Sequence, residues 1–225
     1  MTSVKSRREL YSEATRTALL DEATALFAER GFANTSLEEI AAAGLLSRGA
    51  IYHHFASKKA LFEAVLDRQQ ADVRSRVTAS AAQHSNPWDA AIAALDTFLD
   101  ESCTPVYGRL VWQEGPLALG WQGWRDFAAG SYALVEGLLV ALMDAGYLER
   151  KGESTTVRIF YEMLHGATIA LAEVNGDDKL RVRGECADLL RRFLNGLRSP
   201  SEPSSVELDS SKTRPVSARQ PKRKR

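Results

Sequence analysis

Ser36-Leu37-Glu38-Glu39-Ile40-Ala41-Ala42-Ala43-Gly44-Leu45-Leu46-Ser47-Arg48-Gly49-Ala50-Ile51-Tyr52-His53-His54-Phe55-Ala56-Ser57-Lys58 is the stretch that decides the fold. Ser36 followed three residues later by Glu39 is the reciprocal capping pattern that opens a helix. Gly44 arrives eight residues on, so that helix is short. Ser47 then stands where it caps a second short helix carrying Ile51 and Phe55 inward, and Ser57 caps a third. Two short helices joined by a tight glycine-containing turn make a helix-turn-helix.

Upstream, Leu19, Ala23, Leu26 and Phe27 recur on one face of a 3.6-residue period, predicting a helix over about 12–30 that stops at Gly31. Residues 1–11 show no such stripe and are expected to form a flexible basic arm. Downstream, Leu61, Phe62, Val65 and Leu66 mark the inner face of a helix from Ser57 to about Ser80. Further helices are expected over Trp88–Glu101, Trp124–Ala145, Ser154–Val174 and Lys179–Leu197. The stretch Thr104–Gly123 holds two prolines and four glycines and is expected to break into short helices and turns. No strand-like alternation is present, so the fold class is all-α. From Ser199 the composition turns to Ser, Pro and charge, ending Pro221-Lys222-Arg223-Lys224-Arg225, which predicts a disordered basic tail over 199–225.

The expected organisation is therefore an arm (1–11), a DNA-binding head (12–60) with its last helix running on to about 80, a helical domain (81–198) and the tail. Net charge is zero, but its distribution is uneven. Residues 1–80 hold 11 basic and 10 acidic side chains, residues 81–198 hold 11 and 16, and the tail holds 7 and 3. Such a chain approaches DNA only if the positive groups of the head share a face. Cys103 and Cys186 lack metal-ligand spacing and are read as reduced thiols. The charged N-terminus has no apolar run, so no secretory signal is expected. The apolar run Leu134–Met143 is interrupted by Glu136 and is too short to span a bilayer, so no membrane partner is expected.

On the recognition helix, Arg48 and Tyr52 are spaced i and i+4 and share an outer face with Ser47 and His53. Arginine binds guanine O6 and N7 with two donors, and Tyr and His reach phosphates or base edges. Gly49 lets backbone and phosphate approach closely. Ala50 suits a thymine methyl. Ser36 and Lys58 lie at helix N-termini, where amides favour a phosphate. Neighbouring His53 and His54 point about 100° apart on a helix, so no metal site is expected there. Lys59, Glu38 and Glu39 are read as solvated.

Residues 16–62 resemble the N-terminal domain of the TetR family of bacterial transcriptional regulators. The resemblance rests on Leu20-x-x-Ala23-x-x-Leu26-Phe27, Gly31-Phe32-x-x-Thr35-Ser36-Leu37-x-x-Ile40-Ala41 and Ser47-x-Gly49-x-Ile51-Tyr52-x-His54-Phe55-x-Ser57-Lys58-x-x-Leu61. It implies that Thr35, Ser36, Tyr52, His54 and Lys58 contact the DNA backbone. It further implies that Ser47, Arg48, Ala50 and His53 face bases or nearby phosphates. One departure stands out: the family's Ala-Gly turn is Gly44-Leu45 here. If position 45 needs a positive φ, Leu45 is strained there.

The resemblance also implies a cytoplasmic, nucleoid-associated homodimer that a small molecule releases from a pseudo-palindromic operator. In that family the C-terminal bundle holds the ligand, and its last two long helices pair with a second copy. Candidates for the dimer face are Phe160, Met163, Ala167 and Leu171 on one helix, and Leu190, Phe193, Leu194 and Leu197 on the other. Candidates for the pocket are Phe98, Cys103, Tyr107, Trp112, Trp121, Trp124, Phe127, Tyr132 and His165, an aromatic set suited to a hydrophobic or aromatic effector. No cofactor and no enzymatic activity are expected, since GxSxG, HExxH, CxxC and a phosphate-cradling loop are all missing from the sequence. Two alternatives remain at this point. One is a helical small-molecule binder without specific DNA affinity, left open by Gly44-Leu45. The other is a helical-bundle enzyme using Cys103 with His165.

Overall fold

The computed structural model describes residues 6–176 and 178–199. The basic tail beyond 199 and the first five residues of the expected arm lie outside the described residues. Helices are α1 (Arg7–Arg30), α2 (Leu37–Ala43), α3 (Arg48–His54), α4 (Lys58–Ala81), α5 (Pro87–Ser102), a one-turn α6 (Pro105–Tyr107), a π-helical segment (Gly108–Glu114), α7 (Gly115–Asp144), α8 (Glu153–Glu173) and α9 (Asp178–Gly196). Among the described residues the only extended pairing is a single bridge between Leu148 and Arg198.

The first helix starts at Arg7, not near Ser12. Residues 7–14 are exposed, so no apolar stripe marks them. What holds them is a capping box: the Glu9 N–H donates to Ser6 Oγ at 3.3 Å, and the Ser6 N–H donates to Glu9 Oε2 at 2.7 Å. Ser36 and Glu39 repeat the device on α2, and Ser47 and Ser57 cap α3 and α4. Each cap is worth about 1 kcal/mol.

Leu19, Ala23, Phe27, Ile40, Ile51, Leu61, Phe62, Val65 and Leu66 are fully buried and form the core of the head. Phe27 meets Phe62 edge-to-face at 5.0 Å, and Phe32 closes the cluster at 5.0 Å from Phe62. Arg68 straps α4 to α1. Its guanidinium reaches Asp21 at 2.7 Å, the Leu20 carbonyl at 3.0 Å and Thr24 Oγ1 at 2.8 Å.

The Thr104–Gly123 stretch is helical almost throughout, against expectation. Pro105 and Pro116 sit in first turns, where no N–H is needed. Gly108 and Gly115 stay within the helical run, and Gly115 allows a close approach: a Cβ there would lie 2.7 Å from Trp124 Cζ3. Past the cap residue Thr104, at ψ 133°, only Gly120, at φ 73° and ψ 173°, leaves helical geometry. Pro105–Asp144 contains an 18-residue window with mean hydropathy 1.4, long and apolar enough by composition to cross a bilayer. Here it bends at Gly120 and lines a cavity with Val111, Trp124, Leu134, Leu138 and Leu142, while Leu117 and Trp121 stay exposed.

A second core lies between α5, the end of α7, α8 and α9. Leu99, Leu142, Leu148, Val157 and Leu171 are its most buried members. Asp96 on α5 ties to α9 through Arg191 and Arg183.

Candidate DNA interface and ligand cavity

The turn between α2 and α3 places Leu45 at φ 54°, in the left-handed region, and 95% exposed. Gly44, at φ −79°, makes no use of its freedom. The turn therefore does require a positive φ at 45, and the chain meets it with a residue that carries a Cβ. The Leu46 N–H donates to the Ala41 carbonyl at 2.8 Å, so the turn is closed in spite of the strain.

Helix α3 buries Ile51 and Phe55 and turns Arg48, Gly49, Tyr52 and His53 outward, with Ala50 and His54 half-buried. The Arg48 guanidinium lies 5.6 Å from the Tyr52 ring centre and pairs with Glu38 at 3.0 Å. Glu38 is thus not simply solvated: it occupies the arginine in the free protein. Glu39 is likewise engaged, with Ser36 and with Arg30 at 3.4 Å. Those Ser36 hydrogen bonds, reinforced by Arg30 and Lys58, hold the Glu39 carboxyl below its ordinary range. Lys59 pairs with Glu63 at 4.0 Å.

Two expected backbone contacts change character. Thr35 is 2% exposed, and its hydroxyl donates inward to the Gly31 carbonyl at 2.9 Å. Its side chain is a structural lock for the α1–α2 turn and is not presented to a phosphate. Lys58 donates Nζ to the Phe32 carbonyl at 2.8 Å and lies 4.5 Å from the Phe32 ring centre. Part of its hydrogen-bonding capacity is therefore spent within the head. The hydroxyls of Ser36 and Ser47 accept the capping N–H groups of Glu39 and Ala50. Burial, with His53 and Arg16 nearby, pushes the His54 imidazole down, favouring its neutral form.

A second site lies between α4, α5, the π-helical segment, α7 and α8. It is a cavity offering about 100 Å³ to the centre of a water-sized sphere. Phe98, Tyr107, Trp112, Trp124, Phe127 and His165, six of the nine pocket candidates, line it. Trp112 stands edge-on to Trp124 at 5.5 Å and to His165 at 4.8 Å. Three predicted members do not line it. Trp121, one residue past the Gly120 break, is 76% exposed. Tyr132 packs outside against Tyr161 and Arg158. Cys103 sits beside Lys179, Asp100 and Arg183, and burial pushes its thiol up, away from nucleophilic use. His165 stacks in the cavity wall, so the two do not form a catalytic pair.

Several lining residues escaped the sequence. Gln70 and Arg74 come from α4, Ser131 from α7 and Tyr161 from α8. Only their shared helical faces hinted at them. Gln70 Nε2 donates to Ser131 Oγ at 2.5 Å and to the Phe127 carbonyl at 3.3 Å, joining α4 to α7. Burial pushes the Tyr161 hydroxyl up to about 12, and it donates to the Ala128 carbonyl at 3.2 Å.

Cavity and head are joined directly. Trp112 lines the cavity, and two residues on, Glu114 accepts the Phe32 N–H at 2.9 Å. Its carboxylate fills the space beside Gly31, where a Cβ would lie 2.6 Å from Oε1.

The predicted dimer face needs correcting. Phe160, Leu171, Leu190 and Leu194 are at most 5% exposed within one chain, and Ala167 is 9% exposed. Phe160 and Leu194 line the cavity, and Phe160 stacks on Phe193 at 6.0 Å. Met163, Phe193 and Leu197 are half-buried. The apolar groups left outward on these helices are Ile159 and Ile169 on α8, and Leu180 and Leu189 on α9.

Residues 19–65 match the family described as bacterial regulatory proteins, tetR family, and residues 88–197 match the tetracyclin repressor-like C-terminal domain. The TetC protein of transposon Tn10 from Escherichia coli is 24% identical over 196 residues, covering 86% of this chain and 98% of that one. The transcriptional repressor KstR2 of Rhodococcus jostii is 54% identical over 52 residues, 23% of this chain and 25% of that one. Among solved structures, a TetR-family transcriptional regulator from Pectobacterium atrosepticum superposes with a TM-score of 0.72 at 28% identity, covering 86% and 98% of the two chains. The fatty acid degradation regulator FadR of Bacillus halodurans, at 13% identity and TM-score 0.68 over 87% and 98%, shares the fold. With both of its halves matched and its helix order shared, this chain belongs to the TetR family of transcriptional regulators.

Proposed function

We propose that this chain is a repressor that holds a pseudo-palindromic operator as a homodimer and lets go when a small molecule fills the cavity. The observation that carries the reading is the outward face of α3. Arg48 and Tyr52 stand together on a capped helix whose other side is locked into the core by Ile51 and Phe55. Such a helix enters a major groove with its N-terminal residues against base edges. Ser47, Gly49, Ala50, His53 and His54 flank the arginine, and Ser36 and Lys58 edge the same surface.

Dimerisation is assigned to the outer face of α8 and α9. Ile159, Ile169 and Leu189 are about half exposed there, and Gly166 lies between the two isoleucines with open space where a Cβ would be. A second copy of this chain covers those groups and sets the spacing of the two heads. A ligand then acts by favouring a different tilt of α4, which reaches from the head to the cavity. It must bind the two states unequally to do so.

The test is selection of bound duplexes from a random pool, with Arg48→Ala in parallel. One inverted repeat should be enriched, and the variant should lose about 1–3 kcal/mol at a guanine position, a factor of roughly 5 to 150. A folded dimer that enriches no sequence at moderate salt would overturn the proposal.

A further inference from the structure

The cavity's own chemistry narrows what it accepts. No aspartate or glutamate is among the residues that line it, and its one charged group is Arg74. The neighbouring arginines of α4 are occupied: Arg68 pairs with Asp21 and Arg76 with Glu101. Arg74 has no partner among the described residues. Its Nη1 and the Gln70 Oε1 converge on Gly130, 3.7 and 3.9 Å from where a Cβ there would lie. Ser131 stands next to that glycine; its Oγ accepts from Gln70 Nε2 and its own proton is free to donate, so a guanidinium and a hydroxyl are the donors at this rim, with the Gln70 amide holding the hydroxyl in place.

A second observation is independent of the first. The Trp112 indole N–H is buried and has no hydrogen-bond acceptor. Leaving such a donor unmet costs about 1–3 kcal/mol. Away from the rim the wall becomes apolar. Leu142 lies eleven residues beyond Ser131 on α7, about 16 Å along the helix axis. Leu95, Leu138 and Leu139 join it. Water gains little in such a space, and an apolar group fills it readily.

We propose that the cavity takes a monocarboxylate with an apolar body, its carboxylate on Arg74 and the Ser131 hydroxyl at the rim and its body along the leucine wall. This names the ligand class of the proposed effector site and rests on that reading for the cavity's role. An acid is selected over a neutral analogue by the unpaired guanidinium, and an amine of the same length is rejected.

Direct binding to the full chain without DNA tests this, by calorimetry with octanoate, octanamide and octylamine, and with 2-naphthoate and 2-naphthamide. The acids should bind about five- to tenfold tighter than their amides, the range of a partly exposed charge-assisted pair, and the amine weakest. The octyl and naphthyl arms tell a chain from a ring. Arg74→Gln should erase the acid–amide difference, and Arg74→Lys should keep most of it. Amides that bind as well as acids, a preference that survives Arg74→Gln, or no binding by either acid would each overturn the proposal. Operator release is measured separately. Acids that bind with the stated preference but release no operator support the ligand class while removing the ligand-released reading.

Discussion

Replacing Glu114 with alanine removes one acceptor, and that acceptor joins the ligand half to the head. Glu114 Oε2 receives the Phe32 N–H at 2.9 Å in a half-buried setting. The carbonyl of the same residue, Phe32, accepts from Lys58 Nζ at 2.8 Å. A hydrogen bond to a charged group is worth about 1.5–3 kcal/mol, and partial exposure reduces that to roughly 1–2 kcal/mol here. For a chain of this size the loss lowers Tm by about 2–8 °C. Glu114→Gln keeps an oxygen acceptor without its charge and should lose about half as much.

The functional effect separates from the structural one. Glu114 does not line the cavity, so ligand affinity measured without DNA should stay nearly unchanged. The ratio of operator affinities with and without ligand should shrink toward one, because the segment carrying Trp112 no longer grips the α1–α2 turn. Thermal unfolding and operator titration of the full chain read the two quantities. An unchanged Tm together with an unchanged ligand effect would refute the reasoning.

Three further outcomes are expected. Leu45→Gly relieves the left-handed backbone at no cost in burial, since Leu45 is 95% exposed. The gain of about 1–2 kcal/mol is partly offset by glycine's greater freedom when unfolded, about 0.5–1 kcal/mol, so Tm should hold or rise slightly; a clear fall would contradict the strain argument. Gly115→Ala sets a methyl 2.7 Å from the Trp124 ring and 3.3 Å from the Leu110 carbonyl. It should cost about 1–3 kcal/mol of stability and weaken ligand binding, as Trp124 is driven toward the cavity; calorimetry and thermal unfolding of the variant check both. Glu39, held below its ordinary pKa chiefly by Ser36 and then by Arg30 and Lys58, stabilises the fold above its unfolded value. That contribution disappears as pH falls through the lower folded value, so Glu39→Gln should flatten the acid side of a Tm-versus-pH curve.

The head was legible because its signals are local. Ser36, Ser47 and Ser57 each cap within three residues of themselves, and Ile51 and Phe55 follow one helical period. The start of α1 was missed because residues 7–14 face solvent and leave no stripe, with Ser6 and Glu9 the only sign. The cavity was half legible. Aromatic residues near glycines pointed to Trp112, Trp124 and Phe127, but the backbone turn at Gly120 sends Trp121 outward, and no periodicity reports that. In α8, apolar residues occupy two faces. Spacing finds both, but only packing shows that Phe160 and Leu171 belong to the inner face and Ile159 and Ile169 to the outer.

The Arg48–Glu38 pair has a consequence for how the protein finds its target. A regulator spends most of its time on sequences that are not its site, held there by phosphates. Glu38, 3.0 Å from the recognition arginine, competes with every one of them. An exposed pair of this kind is worth only about 0.2–1 kcal/mol, too little to block a guanine that offers two acceptors. It is enough to shorten residence at a lone phosphate. If Arg48 reads a base as proposed, that cost falls on right and wrong sequences alike, so Glu38 sets how long the protein stays on DNA and leaves the choice of sequence to the bases.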